Sequence, residues 1–266
     1  MKTEMKKMIS DGRSIPLMIM RPKGQKEGAP GVLWIHGGGY ATGMACMPRF
    51  LGRAGSLVKK FGAVVVSPGY TLSVKAPYPA AAEDCHAALV WMTGHAAELG
   101  IDPGRIVVGG ESAGGGLAAA VCMMARDRRS ARIMYQIPLY PMLDCFDTPS
   151  SRDNHAHVWN TKRNHDAWRL YLKGVDMKNV PPYASPARQT DYSGLPPCYT
   201  FVCEGESFRD ETLAYVENLK KAGAEAHADV WPCRTHAFDM LLPFLPVSRR
   251  AIRRFEEAAE RILRKG

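Results

Sequence analysis

Apolar and polar positions along this chain follow two rhythms. Short apolar runs rich in Val and Ile alternate with longer stretches where apolar residues recur every three or four positions. The short runs read as strands buried on both faces, the longer stretches as helices packed over them. Strands are predicted near Lys6–Ile9, Ile15–Arg21, Val32–Ile35, Ala63–Val66, Arg105–Val108, Ile133–Ile137, Cys198–Cys203 and Ala226–Trp231. Helices are predicted over Ala80–His95, Ala113–Arg126, Arg209–Ala222 and Ser248–Arg264. In the last of these, Ile252, Phe255, Ala259, Ile262 and Leu263 share one face, and Arg250, Arg253, Glu257 and Arg264 lie mostly opposite. Asp11-Gly12 between the first two strands is a hairpin signal, which makes that edge of the sheet antiparallel. Strand–helix alternation elsewhere predicts an α/β fold with a mostly parallel central sheet and helices on both faces.

The expected unit is one domain over residues 1–266, interrupted at 144–190. That stretch is polar, carries a helical patch near Asp166–Leu172, and reads as a cap-like insertion after the sixth strand, lying over the sheet ends.

Charge changes the picture little. The net charge is +9, but residues 1–26 contribute +5 and residues 249–265 contribute +4, leaving the middle balanced. Basicity confined to two ends reads as solvated surface and excludes a nucleic-acid groove. Residues 106–125 carry one charge, Glu111, but five glycines break the run, so it reads as strand, turn and helix and not as a membrane span. The first residues lack the apolar core of a secretory signal, and the seven cysteines include no CxxC pair. Both features predict a cytoplasmic protein with free, mostly buried thiols, Cys203 and Cys233 among them.

Chemistry enters at Gly110-Glu111-Ser112-Ala113-Gly114, a G-x-S-x-G between a predicted strand and a predicted helix. Small residues there allow a sharp turn that lifts the Ser112 hydroxyl clear of the sheet. The helix that follows aims its free amides and positive dipole end at the same spot. His36-Gly37-Gly38-Gly39 follows the strand Val32–Ile35, where a glycine loop brings backbone N–H groups close to a ligand. A serine nucleophile needs a base, and the base needs an acid to orient it. His236, in the loop past the last strand, is the candidate base; His227 lies within a strand pattern. Glu204, Glu206, Asp210 and Glu211 follow the strand that ends at Cys203. Ser207 and Asp210 fit a helix capping box, so Glu206 is assigned as the acid, with Asp210 as the alternative. Asp153, His155, His157 and His165 read as polar cap surface and not as a metal site. Trp159 and Trp168 are candidates for the pocket lining or for packing within the cap.

These motifs together make the chain resemble the hormone-sensitive-lipase-type esterases of bacterial family IV, within the α/β-hydrolase superfamily. The resemblance rests on HGGG at 36–39, GESAGG at 110–115, Pro77-Tyr78-Pro79, the 185–197 run, Glu206 to Glu211, and His236-Ala237-Phe238. It implies an α/β-hydrolase fold and a carboxylesterase acting on short acyl esters, with no cofactor and a small-molecule substrate. The implied site has Ser112, His236 and Glu206 as catalytic residues and an oxyanion hole from Gly37, Gly38 and Ala113. Gly39, Tyr40 and Glu111 are expected to bind substrate. By the same resemblance, pairing of two copies would run through the last strand and nearby helices. Glu206 stands where the family usually has Asp, so its loop must retract by about one methylene. With the cap drawn mainly from 144–190, a more open acyl pocket than in fully capped relatives is expected. The alternatives are an amidase or peptidase using the same triad, or a non-catalytic binding protein on the same fold.

Overall fold

Among residues 1–264, the part of the chain that the computed structural model describes, eight strands form one sheet. They are β1 (Lys2–Ser10), β2 (Arg13–Arg21), β3 (Ala29–Ile35), β4 (Val64–Pro68), β5 (Ile101–Glu111), β6 (Tyr135–Leu139), β7 (Cys198–Cys203) and β8 (Ala226–Trp231). The order across the sheet is β1-β2-β4-β3-β5-β6-β7-β8. β1 and β2 pair antiparallel, β2 meets β4 antiparallel, and every pairing from β4 onward is parallel. The hairpin turns at Asp11-Gly12, both with positive φ, as a two-residue turn between twisted strands requires.

The helices are α1 (Met47–Phe50), α2 (Ala54–Phe61), α3 (Ala80–Gly94), α4 (Ala96–Leu99), α5 (Ala113–Arg128), α6 (Thr161–Tyr171), α7 (Arg209–Lys221), α8 (Phe238–Leu241) and α9 (Pro246–Arg264). Alternate residues of the central strands feed two cores. Leu33, Ile35, Val66, Ile106 and Val108 join the core that includes α3, α5 and α7. Val32, Trp34, Val65 and Val107 join the core under α2 and α9. Continuous Val/Ile runs are what a strand covered on both faces demands. Among the described residues, no helix is long and apolar enough to cross a membrane.

Differences from the sequence reading are local. β5 begins at Ile101, because Asp102 to Arg105, a turn-like stretch, is carried into the strand with a register break opposite Pro30 and Gly31. α6 starts at Thr161, earlier than its apolar patch implied, because Asn160 caps it by accepting from the Arg163 N–H at 3.0 Å. The short helices α1, α2, α4 and α8 carry too few apolar turns to register as a period. The segment between β6 and β7 bonds to the loop after β7, through Ser150 on the Ser207 carbonyl and Asn154 on the Gly205 carbonyl.

Trp34 of β3 meets Phe255 of α9 edge to face, with ring centroids 6.2 Å apart and both rings fully buried. Phe255→Ala is therefore expected to lower unfolding stability by about 3–5 kcal/mol. Urea denaturation measures it; a loss below about 1 kcal/mol would mean that α9 collapses into the void.

Candidate active site

The site is built where β5 ends. Ser112 sits between β5 and α5 with φ 59° and ψ −122°, a backbone conformation that an L-residue resists. Its N–H donates to the Leu139 carbonyl and its own carbonyl accepts from Met142 and Gly116, so β6 and its exit segment hold the turn. The turn needs Gly114, where a Cβ would collide with the carbonyl oxygens of Ile35 and His36.

Ser112 Oγ lies 2.9 Å from His236 Nε2, across 124 residues of sequence. His236 Nδ1 lies 2.9 Å from Glu206 Oε1. Glu206 Oε2 accepts from the Cys203 N–H at 3.0 Å, which folds the carboxylate back toward β7 and accommodates its extra methylene. All three side chains are nearly enclosed: Ser112 is 6% exposed, His236 5% and Glu206 1%. Tyr140 and Phe208 stand edge-on to the imidazole at 5.0 and 5.1 Å, and Trp159 lies at 6.2 Å. A hydroxyl, an imidazole and a carboxylate in this order can pass a proton from the hydroxyl and leave a stabilised imidazolium.

Asp210 is engaged elsewhere. It accepts from the Ser150 N–H at 2.8 Å and pairs with Arg209 at 2.7 Å, tying the insertion to α7. The expected capping box is absent: Phe208 occupies the N-cap without a side-chain bond. His227 lies away from this chain of bonds and pairs with Asp229.

The glycine loop packs against the turn. The Gly37 carbonyl faces His36 Nδ1 at 2.8 Å, and the Gly38 carbonyl accepts from the Ala41 and Thr42 N–H groups. In a trans peptide the following N–H points the opposite way, so the N–H groups of Gly38 and Gly39 lie opposite those occupied carbonyls. Gly37 itself is pressed against the Glu111 carbonyl. Ala113 opens α5, so its N–H is among those without an intrahelical partner. Burial pushes the His36 imidazole down to about 4, which keeps it neutral and able to donate from Nδ1.

Two expected substrate contacts turn inward. The Tyr40 hydroxyl donates to the Met142 carbonyl at 2.9 Å, and its ring stacks on Tyr171 at 4.0 Å, so it braces the core. The Glu111 carboxylate accepts from the Arg53 N–H at 3.1 Å, beneath the turn. Burial pushes it up to about 7. Gly39, by contrast, faces the insertion, with Trp159 Cη2 2.6 Å from where a Cβ would stand.

Cys203 and Cys233, read from sequence as thiols, form a disulfide that joins the end of β7 to the His236 loop. The sequence placed both at the ends of neighbouring strands, which was the available signal. Cys46, Cys85, Cys122, Cys145 and Cys198 are free. The cap histidines are separate: His155 pairs with Asp153 and His165 with Asp147. Among the described residues no group of three or more His, Cys, Asp or Glu could hold a metal ion.

A family model described as alpha/beta hydrolase fold matches residues 32–240. The chain is 32% identical to Carboxylesterase NlhH of Mycobacterium tuberculosis over 255 residues, covering 94% of this chain and 79% of that protein. Among solved structures, a bacterial heroin esterase superposes with TM-score 0.91 at 32% identity, over 99% of this chain and 85% of that one. An esterase from Pyrobaculum calidifontis superposes with TM-score 0.89 at 31% identity, over 98% and 86%. The chain belongs to the α/β-hydrolase family, in its hormone-sensitive-lipase-type branch.

Proposed function

We propose that this protein is a serine carboxylesterase that hydrolyses short-chain acyl esters through Ser112, His236 and Glu206. The observation that carries the reading is the unbroken chain of two 2.9 Å contacts from the Ser112 hydroxyl through His236 to Glu206. The carboxylesterase and esterase names of its relatives support the same reaction class.

His236 Nε2 takes the hydroxyl proton as Ser112 Oγ bonds to the ester carbonyl carbon. The carbonyl oxygen becomes an oxyanion, held by the N–H groups of Gly38, Gly39 and Ala113. This moves the donor pair one residue along from Gly37 and Gly38, following the loop's carbonyl pattern. Each donor is worth about 10²–10³ in rate. The imidazolium then gives its proton to the departing alkoxide, which leaves as the alcohol while the acyl group stays on Ser112 Oγ. Water, deprotonated by His236, attacks the acyl carbon and releases the acid and the free serine. Glu206 holds the imidazole in the required tautomer and offsets its charge. Water is the only co-reactant.

The short-acyl reading rests on the roof of the site. Trp159 covers the glycine loop, held by its indole N–H on Asn164 at 3.2 Å, and Ala167 of α6 closes in behind it. The insertion is itself bonded to the acid loop, through Ser150 on Ser207 and Asn154 on Gly205.

A p-nitrophenyl ester series from acetate to decanoate tests the reaction. Ser112→Ala should lose at least about 10⁴-fold in kcat and Glu206→Gln about 10³–10⁴-fold, whereas Asp210→Asn should keep turnover. A Ser112→Ala protein as fast as wild type would sink the reading; anilide hydrolysis matching that of the ester would redirect it to an amidase. In the same series, Trp159→Leu is expected to raise kcat/KM for decanoate relative to acetate by about tenfold, and an unchanged chain-length optimum would remove Trp159 from the pocket wall. Dithiothreitol should lower stability by roughly 3–4 kcal/mol and slow turnover, by freeing the loop that carries His236. The control is the Cys203→Ser/Cys233→Ser variant, which should not respond. Unchanged melting and activity in a protein that has gained two titratable thiols would contradict it.

A further inference from the structure

Arg53 stands at the N-terminal end of α2, outside the groups that would touch an ester. Its backbone N–H donates to Glu111 Oε1 at 3.1 Å. Its guanidinium reaches Asp239 in two ways: Nε lies 3.1 Å from Oδ2, and an Nη2 N–H donates to the backbone carbonyl at 3.2 Å. Glu111 immediately precedes Ser112. Asp239 lies three residues beyond His236, and Ala237 between them takes φ 57°. Both carboxylates are buried, and the Arg53 side chain is 11% exposed. Gly52 makes the room, since a Cβ there would collide with Glu111 Oε1. One residue therefore touches both the strand end that carries the hydroxyl and the turn that carries the imidazole.

We propose that Arg53 is a positioning residue that fixes the Ser112–His236 separation by gripping the chain on either side of that contact. The proposal rests on the hydrolytic reading above and adds a residue that meets neither ester nor reacting atoms. The disulfide and Glu206 secure the base loop on the side of Cys233. Beyond His236, Asp239 is held by Arg53. Without that cation, Asp239 would be a buried charge facing a second buried carboxylate, Glu111, and the turn would move to relieve it. Lysine is a poor replacement, because a compact ammonium on a flexible stem cannot keep the charge contact to the carboxylate and the hydrogen bond to the carbonyl at once.

The test compares wild type with Arg53→Lys and with the double variant Arg53→Gln/Asp239→Asn. The double variant removes the cation and its buried counter-charge together, so it leaves no unpaired charge at Asp239 to unfold the protein. The expected result is near-wild-type melting with kcat on p-nitrophenyl acetate about 100-fold lower and KM unchanged. Arg53→Lys should also fall short in kcat. The second readout is the downfield NMR resonance of the proton between His236 Nδ1 and Glu206, which should broaden or shift in both variants. Wild-type kcat together with a wild-type resonance, in either variant, would overturn the proposal. The resonance needs no ester, so a wild-type protein that cleaved none would sink the esterase reading while the role of Arg53 was still decided. Should the double variant not fold, Arg53→Lys carries both readouts.

Discussion

The site depends on holding one residue in a conformation its side chain resists. A non-glycine residue at the φ and ψ of Ser112 costs about 1–3 kcal/mol and persists only where its surroundings overdetermine it. Here the restraint comes from the centre of the sheet. The Ser112 N–H and carbonyl are both bonded to the segment leaving β6, and α5, buried from Ala113 to Ala125, packs its glycines against backbone carbonyls from β3 and from that same segment. The hydroxyl is thus presented by a turn bonded and packed on every side of its backbone. Most of the adjustable part of the geometry falls to the partner that must reach it.

That partner rides on a loop. Three attachments of different kinds offset the loop's freedom: a covalent bond from Cys233 to the end of β7, the carboxylate of Glu206, and the guanidinium of Arg53 on Asp239. They act on successive points of the chain, before, at and after His236. Under the proposed mechanism, a base held at all three points keeps its Nε2 2.9 Å from Ser112 Oγ without a rigid element of its own, the pre-organisation that such a proton transfer requires.

Which parts of this were legible follows from the kind of signal each leaves. The central strands write themselves as Val/Ile runs, and the elbow and glycine loop write themselves as glycines at fixed spacing, because both depend on local sterics. Glu206 was separable from Asp210 by its place on the loop; in the structure Glu206 lies beside His236, and Asp210 is engaged by Ser150 and not by the capping box expected for it. The disulfide, the inward turn of Tyr40 and Glu111, and the role of Arg53 all depend on pairings between distant segments, Arg53 to Asp239 being 186 residues apart. No window along the chain contains both members. The orientation of the glycine loop is hidden for another reason: it is decided by which way each carbonyl turns, and three identical glycines carry no mark of that.

Buried carboxylates recur around the site, each accepting from backbone N–H groups. Asp84 holds the Thr71 N–H, Glu111 holds Arg53, Glu206 holds Cys203, and Glu211 holds Leu143 and Asp144. Strand ends leave backbone N–H groups unpaired, and a buried carboxylate satisfies them where water is excluded. The same choice shapes the chemistry. Desolvation disfavours any charge that forms in the site, and the proposed cycle places one on His236. Glu206 meets that charge directly, and Asp239, buried nearby and acting on His236 electrostatically, adds to it. Burial pushes the Asp239 carboxyl up while Arg53 pulls it back down, so Arg53 favours the charged form of Asp239. Loop anchoring and the placement of charge beside the site thus rest on the same side chains.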